Sequence, residues 1–384
     1  MCFFGVFVAK CGRKRRLRPN AEALKPPCGP IVELIHDSQT WLEQRVVVSG
    51  ILITYNQAAF VREALNSLLQ QTYPMEIIVS DDASSDETVI VVREVLGVYN
   101  GSHRITLRSN IKNLGICDNQ NSAIAMAGGE LIVLFEGDDV SAPTRVELLT
   151  SKYLAARREV AALGSGIQKM DVHGCAFEEV SWLDLQGDVQ LTTENGWTVQ
   201  GCSLAFRRDC FFDIGPISRH LISGDIALWM RACFVRNGGL ALVPAPLVKY
   251  RIHSENTSAG VRLDYTSPAA LRECCRRLLK NEIAQLFELR KIARYRRHVQ
   301  ISGDSTDALW AVLYRTALQR AKLVFAVSKY SRARWICPAA AAMRHAPMRR
   351  LALRVLALAL IPALGTAYYT VKPIWKGVRR KQVD

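Results

Sequence analysis

Residues 131–139 read LIVLFEGDD, five apolar side chains followed by three carboxylates within four residues. The apolar run predicts a buried β-strand, so the acids fall at its carboxyl end, where open α/β sheets bind their ligands. Glu136 and Asp138, one residue apart, can share a divalent cation that keeps several of its own waters. A solvated acidic turn is the alternative for this motif taken alone.

Strand-like and helix-like segments alternate on the N-terminal side of this motif. Apolar β-rich runs at 46–53, 76–79 and 105–107 are separated by segments whose apolar residues have helical spacing. Pro74 ends the first predicted helix, and the SSDE sequence at 84–87 is a capping box that would begin the second. The alternation predicts the α/β class, with a mostly parallel, helix-covered sheet.

Polar residues cluster at the ends of three of these predicted strands. The clusters are Thr54-Tyr55-Asn56, Asp81-Asp82 and Glu136 to Asp139. Because the carboxyl ends of parallel strands meet at one edge of a sheet, the clusters are expected to converge there. Independent acidic turns would have no reason to converge, whereas a nucleoside diphosphate with its metal ion needs such a site.

At this point the chain resembles a known family. Residues 51–140 look like the start of an inverting glycosyltransferase of the family 2 type, which has the GT-A fold. The motifs that carry the resemblance are, in order, ILITYNQAAFVREALNSLLQQTYP, EIIVSDDASSDET and NLGICDNQNSAIAMAGGELIVLFEGDD. It extends more loosely to about residue 258 through GDIALWMRA and YRIHSENTS, and it covers neither the first 45 residues nor the last 120.

The resemblance implies a nucleotide-sugar donor and a place for it. Asp82, with Asp81 beside it, would bind the nucleobase and ribose, because a carboxylate accepts well from an imide N–H or a sugar hydroxyl. The neighbouring wall and the loop over the nucleotide would be formed by Thr54, Tyr55, Asn56 and Asn113. Gly115, in the same loop, would serve a turn.

The resemblance also implies a metal cofactor. Asp138 would bind Mg²⁺ or Mn²⁺ bridging the diphosphate, and the ion would take up charge on the departing nucleoside diphosphate. Glu136 is one methylene longer than the commoner Asp, so it would act through the ribose or a metal-bound water. His253 matches a family His near the metal, with a purely structural role as the alternative. Arg251 is a candidate for bidentate contact with the diphosphate.

Asp225 is the candidate catalytic base. Gly224 and Asp225 open a predicted helix where many relatives have Glu-Asp, so the chain keeps the Asp and departs at the preceding position. Inversion is a single in-line displacement, and one base must take the proton of the acceptor hydroxyl. The alternative for Asp225 is an ordinary helix N-cap.

Charge is distributed unevenly along the chain. Residues 46–264 carry 18 basic and 25 acidic side chains, a net of −7, whereas residues 265–384 carry 24 basic and 6 acidic ones, a net of +18. Such a basic region suits an anionic membrane surface or nucleic acid. The absence of zinc-ligand spacing and of an RNP-type aromatic pattern argues against nucleic acid.

Residues 355–371 form a seventeen-residue stretch without a charged side chain, flanked on both sides by Lys and Arg. Seventeen is at the short limit for a membrane-spanning helix, and Pro362 and Gly365 interrupt the stretch. A monotopic or re-entrant segment on the cytoplasmic leaflet fits this pattern better than a clean span. A buried helix of a C-terminal subdomain is the alternative.

These patterns divide the chain into four parts. They are an N-terminal extension (1–45), a GT-A domain (46–260), a basic helical region (261–345) and a membrane-associating segment (346–384). The eleven cysteines form no Cys-x-x-Cys pair, which favours a reducing, cytosolic setting. The chain begins with an apolar stretch, residues 1–9, and its basic residues follow that stretch. A secretory signal would have its basic residues before the apolar stretch.

The sequence therefore predicts a metal-dependent inverting sugar transferase at the cytoplasmic face of the plasma membrane. Its acceptor would be a hydroxyl of a growing glycan, with a lipid-linked surface polysaccharide as the expected case. A sugar-1-phosphate nucleotidyltransferase is the first alternative, but that class expects a Gly-rich turn, and residues 53–57 contain no glycine. A non-catalytic assembly scaffold is the second, and the presence of Asp82, Asp138 and Asp225 argues against it.

Overall fold

The computed structural model describes residues 30–181, 201–235, 239–256 and 268–299. The strands in these ranges are β1 (Ile31–His36), β2 (Val48–Thr54), β3 (Glu76–Asp81), β4 (Arg104–Ser109), β5 (Leu131–Glu136), β6 (Val140–Ser141), β7 (Ala162–Met170), β8 (Ala176–Ser181), β9 (Ala205–Arg207) and β10 (Leu240–Arg251). The helices are α1 (Val61–Leu69), α2 (Thr88–Gly97), α3 (Ile116–Met126), α4 (Arg145–Ala155), α5 (Asp209–Phe212), α6 (Asp225–Ala232) and α7 (Pro268–His298).

All of these strands belong to a single sheet, in the order β1-β4-β3-β2-β5-β9-β7-β10-β6, with β8 paired to β7. Strands β4, β3, β2 and β5 run parallel, as do β7 and β10. The remaining pairings, by β1, β6, β8 and β9, are antiparallel. The predicted α/β class is confirmed, but the mostly parallel arrangement holds for one half of the sheet, and the other half is mixed.

Both faces of the parallel half are covered by helices. Ile51 and Ile53 point to a core formed with α3, α6 and α7, whereas Leu52 between them points to a core formed with α1, α2 and α4. Every residue of β2 and of β3 is buried. Burial on both faces explains why these strands are continuous apolar runs in the sequence rather than alternating ones.

Two local predictions differ from the structure. The capping box at 84–87 does not form: α2 begins at Thr88, the preceding Glu87 makes no side-chain cap bond, and the Ser84 hydroxyl binds Asp81 instead. The sequence GCSLAF at 201–206 predicts one strand. The structure has a 3-10 turn over Gly201–Ser203 followed by the short strand β9.

The C-terminal predictions are described only in part. Helix α7 lies in the predicted basic helical region and is 31 residues long. The remainder of that region, the segment 346–384 and most of the extension 1–45 lie outside the described residues. A bilayer-spanning helix needs about 20 predominantly apolar residues, and the helices of the described ranges offer no such run.

Candidate active site

The three polar clusters meet at the carboxyl edge of the parallel strands. Thr54 at the end of β2 lies beside Asp81 at the end of β3, and Glu136 at the end of β5 lies beside Ile53. A cleft of about 760 Å³ opens above this edge. The predicted site residues that line it are Thr54, Tyr55, Asp82, Asn113, Glu136, Asp138 and Asp225. Those that do not line it are Asn56, Asp81, Arg251 and His253.

Asp82 holds the loop that was predicted to cover the nucleotide. Its carboxylate accepts hydrogen bonds from the backbone N–H groups of Leu114 (2.9 Å) and Gly115 (2.8 Å) and from the Asn110 amide (2.7 Å). Gly115 has φ = +88°, a conformation that favours glycine, and α3 begins directly after it. The predicted turn role of Gly115 is therefore confirmed.

Arg108 supports Asp82 from below. This side chain on β4 is 1% exposed and donates to the Asn110 side-chain oxygen (2.7 Å), the Ser80 hydroxyl (2.8 Å) and the Asn119 side-chain oxygen (3.2 Å). Burial lowers the pKa of Arg108 to about 10, so the guanidinium stays charged at neutral pH. The chain from Arg108 through Asn110 to Asp82 fixes the carboxylate before any ligand arrives.

Asn56 and Asp81 hold the turn beside the cleft. Asn56 has φ = +51°, and its side-chain oxygen accepts from the backbone N–H of Ser85 (2.8 Å). Asp81 accepts from the backbone N–H of Ser84 (2.9 Å), and burial raises the pKa of the Asp81 carboxyl. Both side chains are thus turned away from the cleft, and the donor contacts predicted for them stay predictions.

Gly137 brings the ends of β2 and β5 into close approach. A Cβ atom at this position would lie 2.3 Å from the Gln57 side-chain oxygen and 2.9 Å from the Thr54 hydroxyl oxygen. The glycine between the two acids of the Glu136-x-Asp138 pair is therefore required by space. The absence of a side chain at Gly137 lets Glu136 and Asp138 lie close to Thr54.

Asp138, which follows β5, contacts His253 in the loop after β10. The His253 Nε2 atom lies 2.8 Å from the Asp138 Oδ2 atom, and the Asn256 amide donates to the same oxygen at 3.4 Å. The His253 backbone N–H donates to the Asn256 side-chain oxygen (2.6 Å), and the His253 ring packs against Phe60, with 4.8 Å between ring centres. Asn256, which the sequence analysis missed, thus positions both predicted metal ligands.

The donor set fits a hard divalent cation. A carboxylate oxygen and an imidazole nitrogen 2.8 Å apart can occupy adjacent positions around one ion, and Mg²⁺ fills its other positions with phosphate oxygens and water. In the described ranges no cluster of three or more His, Cys, Asp or Glu side chains is placed to hold a metal. Any ion here would therefore depend on its substrate for further ligands.

Carboxyl groups crowd this end of the cleft. Burial raises the pKa values of Glu136 and Asp139 well above the usual range, and the charge of Asp138 is the second-largest cause. The Asp139 Oδ2 atom is buried without a hydrogen-bond partner in the described residues. A cation at Asp138 would relieve this repulsion, which agrees with the fit of the donor set.

Arg251 is engaged entirely within the protein. Its guanidinium forms an ion pair with Glu63 and donates to the backbone oxygens of Asp138 (3.0 Å) and Val172 (3.1 Å). Its backbone N–H donates to Asp139 (2.9 Å). The diphosphate contact predicted for Arg251 therefore gains no support from its placement, which instead fixes the backbone that carries Asp138.

Asp225 is the first residue of α6, and Gly224 occupies the N-cap position. The simple N-cap alternative therefore does not describe Asp225. Burial raises the pKa of its carboxyl, and hydrogen bonds from Ser223 and from the backbone of Ile226 and Gly201 offset only part of this. The Asp225 side chain lines the cleft, and its Oδ1 atom is buried without a hydrogen-bond partner in the described residues.

The comparisons with known proteins identify a family for part of this chain. The profile of the family described as glycosyl transferase family 2 matches residues 49–214. The chain carries a family 2 glycosyltransferase domain. Asp225, His253 and α7 lie beyond the C-terminal end of the matched range.

Curated relatives match longer stretches of the chain. An uncharacterised protein of Mycobacterium tuberculosis is 29% identical over 213 residues, which are 54% of this chain and 59% of that protein. An uncharacterised glycosyltransferase of Haemophilus influenzae is 26% identical over 229 residues, which are 57% of this chain and 69% of that protein. The chain thus spans about three fifths of the length of the mycobacterial relative.

Two solved structures are similar at the level of the chain trace. TarS from S. aureus, in complex with UDP-GlcNAc, is 19% identical and covers 76% of this chain and 86% of its own, with a TM-score of 0.48. A mannosyltransferase from Pyrobaculum calidifontis, in complex with GDP-Man and Mn²⁺, is 19% identical and covers 83% and 90%, with a TM-score of 0.45. Both scores lie below 0.5, so these structures carry no conclusion about the site.

Proposed function

We propose that this chain is a metal-dependent, inverting glycosyltransferase that moves one sugar from a nucleotide-sugar to a hydroxyl group of a glycan. The observation that carries the proposal is the meeting of Asp82, Asp138 and Asp225 in one cleft of a chain with a family 2 domain. The three carboxylates have different surroundings, and each surrounding suits a different task.

Asp82 serves the nucleoside end of the donor. Its carboxylate is held in place by Asn110 and the loop at 114–115, so it is oriented before the base and ribose bind. Asp138 and His253 would hold Mg²⁺ or Mn²⁺ against the diphosphate. When bound, such an ion supplies Lewis-acid stabilisation of the leaving nucleoside diphosphate.

Asp225 serves the acceptor hydroxyl. Its carboxylate, which lines the cleft, accepts the hydroxyl proton while that hydroxyl attacks the anomeric carbon from the side opposite the diphosphate. The charge pattern of the chain supports an acceptor at an anionic membrane. We therefore place the reaction at the cytoplasmic face of the plasma membrane, with a lipid-linked surface polysaccharide as the acceptor.

A panel of nucleotide-sugars tests the donor part of this proposal. In the presence of Mn²⁺, one or a few of these compounds should raise the unfolding temperature of the full chain. The same compounds should then yield nucleoside diphosphate. Asp138→Asn should nearly abolish that yield while the protein remains folded, and EDTA should have the same effect on the wild type.

Asp213→Asn is the matched control, since Asp213 is an exposed carboxyl outside the cleft. It should retain activity. Turnover that persists in Asp138→Asn and in chelator would refute the metal role, and the lack of any stabilising nucleotide-sugar would refute the donor class.

A further inference from the structure

Lys169 is an unexplained cation in an acidic cleft. Six carboxylates line the cleft: Asp82, Glu136, Asp138, Asp139, Asp225 and Glu255. Lys169 is the sole cationic side chain in the same lining, as far as the described residues show. The Lys169 ammonium therefore places one positive charge on an otherwise acidic cleft wall.

Lys169 has no partner within the ranges that the structure describes. The side chain is half-buried, and neither a hydrogen bond nor an ion pair engages its ammonium there. The other basic residues near the site are occupied: Arg108 donates to Asn110, and Arg251 forms an ion pair with Glu63. A half-buried ammonium with three free donors is suited to an oxyanion of the ligand.

The position of Lys169 relates it to the catalytic base rather than to the nucleoside. Lys169 lies on β7 opposite Tyr250 of β10, and both side chains line the cleft. The turn Gly201–Ser203 packs against β7 and β10, and the Cβ position of Gly201 is 2.5 Å from the Asp225 carboxylate. Strand β3, which leads to Asp82, is four strands away in the sheet, about 19 Å at 4.8 Å per strand.

We propose that Lys169 forms an acceptor subsite for an oxyanion, so that the acceptor of this enzyme carries a phosphate or a carboxylate group near the hydroxyl that reacts. The inference rests on the proposed glycosyl transfer and assigns the acceptor class to the same cleft. A phosphate of a glycan phosphodiester and the carboxylate of a uronic acid present the same chemistry to an ammonium. Their geometry and charge differ, so separate probes can distinguish them.

The experiment measures binding to the full chain by calorimetry, with and without the nucleoside diphosphate that the donor panel identifies and Mn²⁺. The probes are methyl β-glucuronide, methyl glucoside 6-phosphate and neutral methyl β-glucoside. The wild type should bind at least one anionic probe tenfold or more tighter than the neutral one. Lys169→Met should remove this preference, and Lys169→Arg should retain most of it.

Lys249→Met is the matched control, because Lys249 lies on the adjacent strand, is exposed and does not line the cleft. It should bind all probes as the wild type does. Equal binding of anionic and neutral probes by the wild type would overturn the proposal. So would a Lys169→Met defect confined to the nucleoside diphosphate or to an acidic nucleotide-sugar, because the cation would then serve the donor.

Failure of the proposed function has a different signature. In that case no nucleotide-sugar binds or is consumed, whatever happens to the sugar probes. The anion subsite fails separately when donor turnover is normal and the probe preference is missing.

Discussion

At the scale of single residues, Asp225 lines the cleft, and its carboxylate is held by hydrogen bonds from Ser223 and from the backbone of Ile226 and Gly201. Its Oδ1 atom is buried and unpartnered in the described residues. Burial raises the pKa of the carboxyl, which makes the deprotonated form a stronger base than an exposed Asp. These properties agree with general-base catalysis.

Asp225→Asn should therefore slow turnover by a factor of about 10²–10⁴, the usual contribution of a general base, with nucleotide-sugar affinity nearly unchanged. Because only the deprotonated carboxyl accepts a proton, the wild-type rate should fall on the acid side of the raised pKa. This acid limb should vanish from the pH–rate profile of the variant. Full activity with a lower melting temperature would mean that Asp225 has only a structural role.

Gly224 is required by the space that Gln120 occupies. A Cβ atom at Gly224 would lie 1.9 Å from the Gln120 side-chain oxygen and 2.3 Å from Ile217 Cδ1. Gln120 is itself 2% exposed, so it has little room to move. The departure from the Glu-Asp pair of many relatives thus has a physical reason within this chain: the volume before Asp225 is already filled.

Gly224→Ala should destabilise the protein by about 1–3 kcal/mol, the typical cost of overpacking a core. Gln120→Ala should also destabilise, but the double variant should be more stable than the sum of the two losses predicts. Urea denaturation of the four proteins measures this coupling, and about 1 kcal/mol or more is expected for residues in contact. Strictly additive losses would show that the side chains do not compete for one volume.

At the scale of elements, α7 is part of the site although it lies beyond the matched family range. Arg231 of α6 and Glu288 of α7 form a fully buried ion pair at 2.5 Å. Glu288 also accepts from the backbone N–H of Ser218 (2.9 Å), and the Asn281 oxygen accepts from that of Ile222 (2.9 Å). Helix α7 therefore fixes both the helix that carries Asp225 and the loop before it.

Glu288→Gln should destabilise the protein by about 3–5 kcal/mol, because it leaves the Arg231 charge buried without its counter-charge. Glu94→Gln is the control, since the Arg62–Glu94 pair is exposed and should contribute about 1 kcal/mol or less. Chemical denaturation measures both. Similar small losses in the two variants would show that α7 is not coupled to α6 through this pair.

The sequence predicted elements better than side-chain directions. The buried strands and their polar ends were recognisable because apolar runs end abruptly at Thr54, Asp81 and Glu136. The directions of the Asn56 and Asp81 side chains were not recognisable, because they depend on a turn in which Asn56 takes a positive φ. The antiparallel strand β8 was missed. It follows β7 after only the short segment 171–175, so the sequence has no helical segment between the two strands that would separate them.

Long-range contacts account for the other missed features. Arg251 meets Glu63, and Asn256 meets Asp138, across separations of more than a hundred residues. No local spacing encodes such pairs, so the sequence identified Arg251 as a cation near the site without showing what it binds. Lys169 was missed for the same reason: a single lysine in a strand carries no pattern.

At the scale of the whole molecule, the net charge changes sign along the chain, from an acidic N-terminal part to a basic C-terminal part. Residues 46–264 have a net charge of −7, and residues 265–384 have +18. An anionic membrane surface would attract the second part and repel the first. This separation would hold the cleft away from the headgroups and open to soluble donor.

We therefore predict that residues 346–384 bind the enzyme to the cytoplasmic face of the membrane. Basic side chains near anionic headgroups contribute about 1 kcal/mol each, and burial of the uncharged stretch 355–371 adds to this. Fractionation of cells that express the full chain, or a chain ending at His345, measures the effect. The full chain should sediment with membranes and the shortened chain should not.

A second variant separates charge from burial. Replacement of Arg379, Arg380 and Lys381 by Gln leaves the uncharged stretch intact and removes three of the flanking charges. If the two contributions act together, this variant should remain on membranes in low salt and be released by a salt wash that leaves the full chain bound. A full chain that stays soluble would show that residues 346–384 do not anchor the protein. A shortened chain that binds equally well would show that the anchor lies elsewhere.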